Sequence, residues 1–113
     1  MLPKQERLTG HGEFRRVYAT GWSCANRPLV LYVLREQRGR RVGFAVPRRI
    51  GGAVERNRVR RRLREAYRLV RDEVPGDWHM VLLARGPCRQ MKVADLAEAV
   101  RELVGRAAIG QRE

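Results

Sequence analysis

The sequence predicts an α/β (α+β) two-layer sandwich, a small mixed and mostly antiparallel sheet with helices packed on it. Three observations lead there. Apolar residues recur at helical spacing over residues 53–74 and again over 93–104. Between and before them lie apolar runs of strand length at 28–36, 40–47 and 78–86. Of the 113 residues, 43% are hydrophobic and 33% charged, which supplies enough apolar material for a packed core and argues against wholesale disorder. A chain of this length is expected to form one domain over 1–113, with the folded part at about 7–104 and a loose polar tail from Gly105 to Glu113.

The elements follow in order. EFRRVYATG (13–21) places Phe14, Val17 and Tyr18 on one face of a short helix that Gly21 stops. WSCANR (22–27) reads as a third strand beside the clearer ones. PLVLYVLRE (28–36) carries Leu29, Leu31 and Val33 on one face and Val30, Tyr32 and Leu34 on the other, so it is covered on both sides. QRGR supplies a turn, which makes RRVGFAVP (40–47) the partner strand of a hairpin, and Pro47, lacking an N–H, marks its end. RRIGG is a basic loop. From about Ala53 a long helix sets Val59, Leu63, Ala66, Tyr67, Val70 and Val74 on one stripe, until Pro75 and Gly76 end it. WHMVLLARG (78–86) is a further buried strand, and VADLAEAVRELV (93–104) a last amphipathic helix with Lys92, a poor cap, before it.

Lys plus Arg number 25 and Asp plus Glu 12, a formal charge of +13 with an isoelectric point near 11.5. Such a balance costs self-repulsion unless a polyanion supplies counter-charge, and nucleic acid is the first candidate. An anionic membrane fits less well, because surface-lying helices pair their basic face with bulky apolar residues and here the apolar face is core. Cys24 and Cys88 stand far apart with no metal-ligand spacing, so a reduced, cytoplasmic protein is expected. MLPKQERLTG lacks the apolar run of a signal peptide, and no stretch is long enough to span a bilayer.

The charge is concentrated. ERNRVRRRLRE (55–65) contains Arg56, Arg58, Arg60, Arg61, Arg62 and Arg64 within nine positions. Like charges three and four apart destabilise an exposed helix, so the run serves something outside the fold. On a helical wheel Arg56, Arg60, Arg64 and Arg68 form one ridge beside the apolar stripe, flanked by Asn57 and Arg61, with Arg58 and Arg62 toward the far side. A solvated helix face normally intersperses acids at i, i+4, and none lies between Arg56 and Arg64. Phosphate binding is the better reading, and six arginines on a single strand would give a salt slope of about −4. Phe14, Tyr18 and Tyr32 are candidates to stack on unpaired bases, a sequence-tolerant contact, although each alone also fits core packing.

RNRVRRRLRE resembles the RNR motif of the protein subunit of bacterial ribonuclease P. RLTGHGEFRRVYATG, NRPLVLYVL, RRVGFAVPRRIGGAVERNR and HMVLLARGP extend the resemblance over about residues 7–104. It implies a fold with a left-handed βαβ crossover, of the kind found in the second domain of a small-subunit ribosomal protein, against the general preference for right-handed ones. It also implies two surfaces. Arg48, Arg49, Arg56, Asn57, Arg58, Arg60, Arg61 and Arg64, with Arg68 further along the ridge, would face ribonuclease P RNA and its phosphates. A cleft between that helix and the sheet, with Phe14, Tyr18, Val30 and Tyr32, would hold the single-stranded 5′ leader of precursor tRNA. The RNA would do the cutting with Mg²⁺. Arg60 stands where the family generally has Lys, and Ala45 and Pro47 stand where hydroxyl residues are common.

The chain's own chemistry agrees with a helper's role. His11 lies in Gly-His-Gly and His79 inside an apolar strand, where a hydrogen-bonded structural histidine is the ordinary case. Asp72 and Glu73 have no second acidic cluster for a two-metal site. No P-loop, GxSxG or HExxH occurs. No catalytic residue, metal ligand or bound cofactor is therefore expected of the chain alone. The competing readings are a structural ribosomal or RNA-chaperone protein and, behind it, a basic-helix DNA reader, which lacks a dimerising heptad after Glu65.

Overall fold

The computed structural model describes residues 4–35 and 39–110. After a short 3₁₀ turn come α1 (Gly10–Thr20), β1 (Trp22–Ala25), β2 (Leu29–Arg35), β3 (Arg41–Ala45), α2 (Ala53–Val70), β4 (Trp78–Ala84) and α3 (Val93–Gly110). The four strands lie in the order β1-β2-β4-β3. β2 is antiparallel to both β1 and β4, and β3 is parallel to β4. The sheet is therefore mixed and mostly antiparallel, and β3-α2-β4 is a βαβ unit.

That order corrects one expectation. β2 and β3 do not form a hairpin, because β4 lies between them. The hairpin is β1–β2, closed at Asn26, whose N–H donates to Leu29 O and whose Oδ1 accepts the Leu29 N–H, at 3.0 and 3.2 Å. Of the QRGR segment read as a turn, residues 36–38 lie outside the described residues. Apolar residues on both faces of β2 record that both faces are covered and leave its in-sheet neighbours open.

Alternation along β2 assigns its faces. Leu29, Leu31 and Val33 are fully buried against the stripe of α2 (Val59, Leu63, Ala66, Tyr67, Val70) and that of α3 (Leu96, Val100, Leu103, Ala107). Sheet, α2 and α3 make the two-layer sandwich. Tyr32 and Leu34 point the other way, where α1 lays Val17 on Val81 and covers part of the opposite face. α3 runs on through Gly105 to Gly110 with Ala107 fully buried, so the part of the expected loose tail from Gly105 to Gly110 is helical, and residues 111–113 lie outside the described residues.

Three local contacts fix the frame. Gly21 ends α1 where a Cβ would lie 2.3 Å from Val33 O and 2.6 Å from Val17 O, so only glycine lets the helix turn into β1. Leu8 N–H donates to Val42 O at 3.0 Å and Arg7 bridges Val42, which lays the N-terminal segment along the free edge of β3. Glu6 joins that segment to the end of α2. It accepts from Arg40 Nε at 3.2 Å and Arg71 Nε at 3.0 Å, while Arg40 Nη1 donates to Arg71 O and Val74 O. The Arg71 hydrogen bonds, ahead of those from Arg40, hold the Glu6 carboxyl below the usual carboxylate range.

Candidate nucleic-acid interface

α2 starts after a loop that positions the first two cations. Ile50, buried at 2% exposure, anchors the 3₁₀ turn Arg48–Ile50 and leaves Arg48 and Arg49 outside. The backbone then passes through Gly51, whose φ of 156° favours glycine, and Arg56 N–H closes the first helical turn on Gly52 O. With the apolar stripe facing the core, the remaining α2 positions meet solvent.

Among the described residues, Arg48, Arg49, Arg56, Arg60, Arg61 and Arg64 have no carboxylate within 4.0 Å. The flanking acids are used at the ends of the run. Glu55 lies 3.9 Å from Arg58 and 3.7 Å from Arg89. Glu65 holds Arg68 through Nε at 3.1 Å, which lowers the Glu65 carboxyl and raises the Arg68 guanidinium from their ordinary values. Arg68 therefore differs from the rest of the predicted ridge. Asn57 acts on its neighbours: its Oδ1 accepts from Arg60 Nη1 at 2.9 Å and its backbone O from Arg61 Nε at 3.5 Å. Asn57, Arg60, Arg61 and Arg64 line an open recess of about 420 Å³. Two guanidiniums held by one uncharged residue, Arg60 by its side chain and Arg61 by its backbone carbonyl, keep other N–H groups that suit phosphate oxygens. Arg62 lies off this recess and donates to Arg89 O at 2.8 Å.

The aromatic set comes together on the other side of the sheet. Phe14 and Tyr18, one turn apart on α1, have ring centroids 6.5 Å apart, and Tyr18 meets Tyr32 edge-on at 4.8 Å. Tyr18 is 39% exposed, and partial burial, with the neighbouring Tyr32, raises its phenol above the ordinary value. Val30 lies two residues along β2 on the same face, half-buried, opposite Leu83. A second recess of about 440 Å³ is lined by Gly10, His11, Phe14 and Tyr18. The four predicted residues thus share one surface, but its wall is α1. A cleft between α2 and these residues is ruled out by β2 alternation, which puts Tyr32 and α2 on opposite faces.

Two features add to the sequence reading, which had already singled out Ala45. Leu83 and Ala45, register partners across β4 and β3, extend the half-buried floor beyond Val30. Glu13 fastens α1: it accepts from Thr9 N–H at 2.6 Å, Thr9 Oγ1 at 3.0 Å and Arg41 Nη1 at 2.9 Å. The Thr9 backbone bond is the largest cause of its lowered carboxyl. Thr9 just before α1 was a helix-start signal available in the sequence; its pairing with Glu13, one residue beyond the capping-box position, and the partner on β3 were not.

A basic mixed α+β domain with an uncompensated guanidinium helix behind its sheet and half-exposed rings in front of it belongs to the class of RNA-binding proteins. Comparison with known proteins resolves the class. The family model for ribonuclease P matches residues 2–108, and the chain belongs to that family. The ribonuclease P protein component of Symbiobacterium thermophilum is 45% identical over 114 aligned residues, 99% of each chain. That of an Exiguobacterium species is 37% identical, covering 99% of this chain and 98% of its own. The solved RNase P protein of Staphylococcus aureus superposes with a TM-score of 0.81 at 26% identity, over 92% of this chain and 96% of that one. Membership makes the chain a part of an endoribonuclease ribonucleoprotein of tRNA processing, with ribonuclease P RNA as its partner. No helix among the described residues is long and apolar enough to cross a membrane.

Proposed function

We propose that the chain docks on ribonuclease P RNA through the α2 face and its preceding loop, and holds the single-stranded 5′ leader of precursor tRNA on Phe14, Tyr18, Val30 and Tyr32. The RNA removes the leader with Mg²⁺, in the cytoplasm, and the protein contributes binding. The observation that carries this reading is the separation of the two surfaces: a phosphate-binding helix on one side of the sheet and a base-stacking shelf on the other. One chain can then touch two RNA strands at once.

The described residues contain no group of three His, Cys, Asp or Glu side chains that could hold a metal ion. The α2 face is cationic, so its residues do not fit Mg²⁺, and the ion belongs with RNA phosphates. What the guanidiniums supply is charge neutralisation where two RNAs approach, which lowers the Mg²⁺ concentration that docking requires. The bases of the leader add short-range contact on the rings, a difference in binding between substrates with and without a leader.

The test is to add the protein to ribonuclease P RNA at low Mg²⁺ and measure leader removal, then to titrate precursor tRNA with and without its leader into the complex. Rescue of cleavage and tighter binding of the leader-bearing RNA are expected. Rescue without a leader preference would confine the protein to RNA docking, and no rescue would overturn the reading.

A further inference from the structure

The end of the Phe14 ring is seated on Gly43 in the middle of β3. A Cβ at Gly43 would lie 2.4 Å from Phe14 Cζ, 2.7 Å from Cε2 and 3.1 Å from Cε1. The described glycines with positive φ are Gly10, Gly39 and Gly51, so Gly43 is required by space and not by backbone conformation. Glycine weakens a strand interior, and one that pairs with Val81 between Val42 and Phe44 has a reason to be there.

α1 itself has little freedom to yield. Its start is tied to β3 by Glu13 and Arg41 at 2.9 Å, and its end is closed at Gly21 against Val33 O. A methyl group at position 43 would therefore displace the ring and not the helix. Displacing that ring would change its spacing to Tyr18, 6.5 Å away and itself edge-on to Tyr32.

We propose that Gly43 is a positioning residue of the aromatic shelf: its missing side chain sets the depth of Phe14, and through it the spacing of the three rings that receive unpaired RNA bases. This rests on the leader reading above. Glu13, Thr9 and Arg41 serve the same end by holding α1 in register with β3.

Gly43→Ala, Phe14→Ala and the double variant test it, each titrated in the complete complex with precursor tRNA carrying or lacking the leader. Proton NMR of the free proteins reads the rings without RNA. Gly43→Ala is expected to cut the leader's affinity advantage by about tenfold, at the low end of what one stacked base contributes. Phe14→Ala should do the same, and the double variant should lose no more than either alone, because both act through one ring. The Phe14 and Tyr18 ring resonances should shift in Gly43→Ala. An undiminished leader advantage, additive losses, or unmoved ring resonances would overturn the positioning role. A wild-type protein with no leader advantage would overturn the leader reading instead, and the ring resonances would still decide whether Gly43 places Phe14.

Discussion

The outer face of α2 and the α1 side of the sheet are separated by the same four strands and are made of opposite materials. On α2 and its loop, seven arginines (Arg62 among them) lack a carboxylate partner among the described residues, and the two acids flanking the helical run hold Arg58, Arg89 and Arg68. On the α1 side three rings lie within 6.5 Å of their neighbours and the charged pair Glu13–Arg41 is turned to structural use. The chain is not short of acids. Glu6 engages Arg40 and Arg71, Glu73 and Glu98 engage Arg101, and Asp77 engages Arg35. The difference teaches that folding leaves cations over on α2 and its loop, and under the docking proposed above these are the charges open to RNA. It also assigns two ranges of force. Guanidiniums act over a Debye length of about 8 Å at physiological salt, and stacking acts only in contact.

Salt is the sharpest way to break the comparison. Replacing Arg60, Arg61 and Arg64 together by Ala should make the plot of log affinity for ribonuclease P RNA against log salt shallower by about 2, worth about a hundredfold at 0.1 M if the lines converge near 1 M. An unchanged slope would remove α2 from the interface. Tyr18→Ala should weaken binding of leader-bearing precursor tRNA by roughly 1–3 kcal/mol with the salt slope intact. An equal loss for tRNA without a leader would return Tyr18 to a packing role. A smaller effect concerns the frame. Because Arg71 chiefly holds Glu6 below the ordinary carboxylate range, Glu6 contributes stability above that range and loses it as pH falls through its lowered folded value. Melting temperature against pH should therefore drop more steeply in this window for the wild type than for Glu6→Gln, and parallel curves would refute the linkage. Arg68→Ala should have the least effect of all on RNA affinity, since its guanidinium is engaged by Glu65, and a slope change as large as that of Arg60→Ala would show that the pair opens on binding.

Much of this was legible residue by residue. The 3.6 period of Val59, Leu63, Ala66, Tyr67 and Val70 located α2 and told which positions face away from the core. The resemblance gathered Phe14, Tyr18, Val30 and Tyr32, which do share a surface. Partnership was not legible. That β4 pairs with both β2 and β3 depends on contacts between residues far apart along the chain, such as Leu29 with Ala84 and Arg41 with His79, which no local period records. The wall of the shelf was misassigned for the same reason, since the apolar face of α1 does not say which side of the sheet it will cover. The extent of α3 was missed because a buried Ala107 leaves no stronger mark in the sequence than an exposed alanine.

The placement of β4 has a consequence for synthesis. β4, one of the two inner strands of the sheet, is the last strand among the described residues to leave the ribosome, after β3 and the whole of α2. Until Trp78–Ala84 has emerged, the β1–β2 hairpin and β3 have nothing between them, so a nascent chain cannot close its sheet. Products truncated before that strand would carry the full arginine run without a scaffold to aim it, while the finished protein acquires its two surfaces together, in one late event.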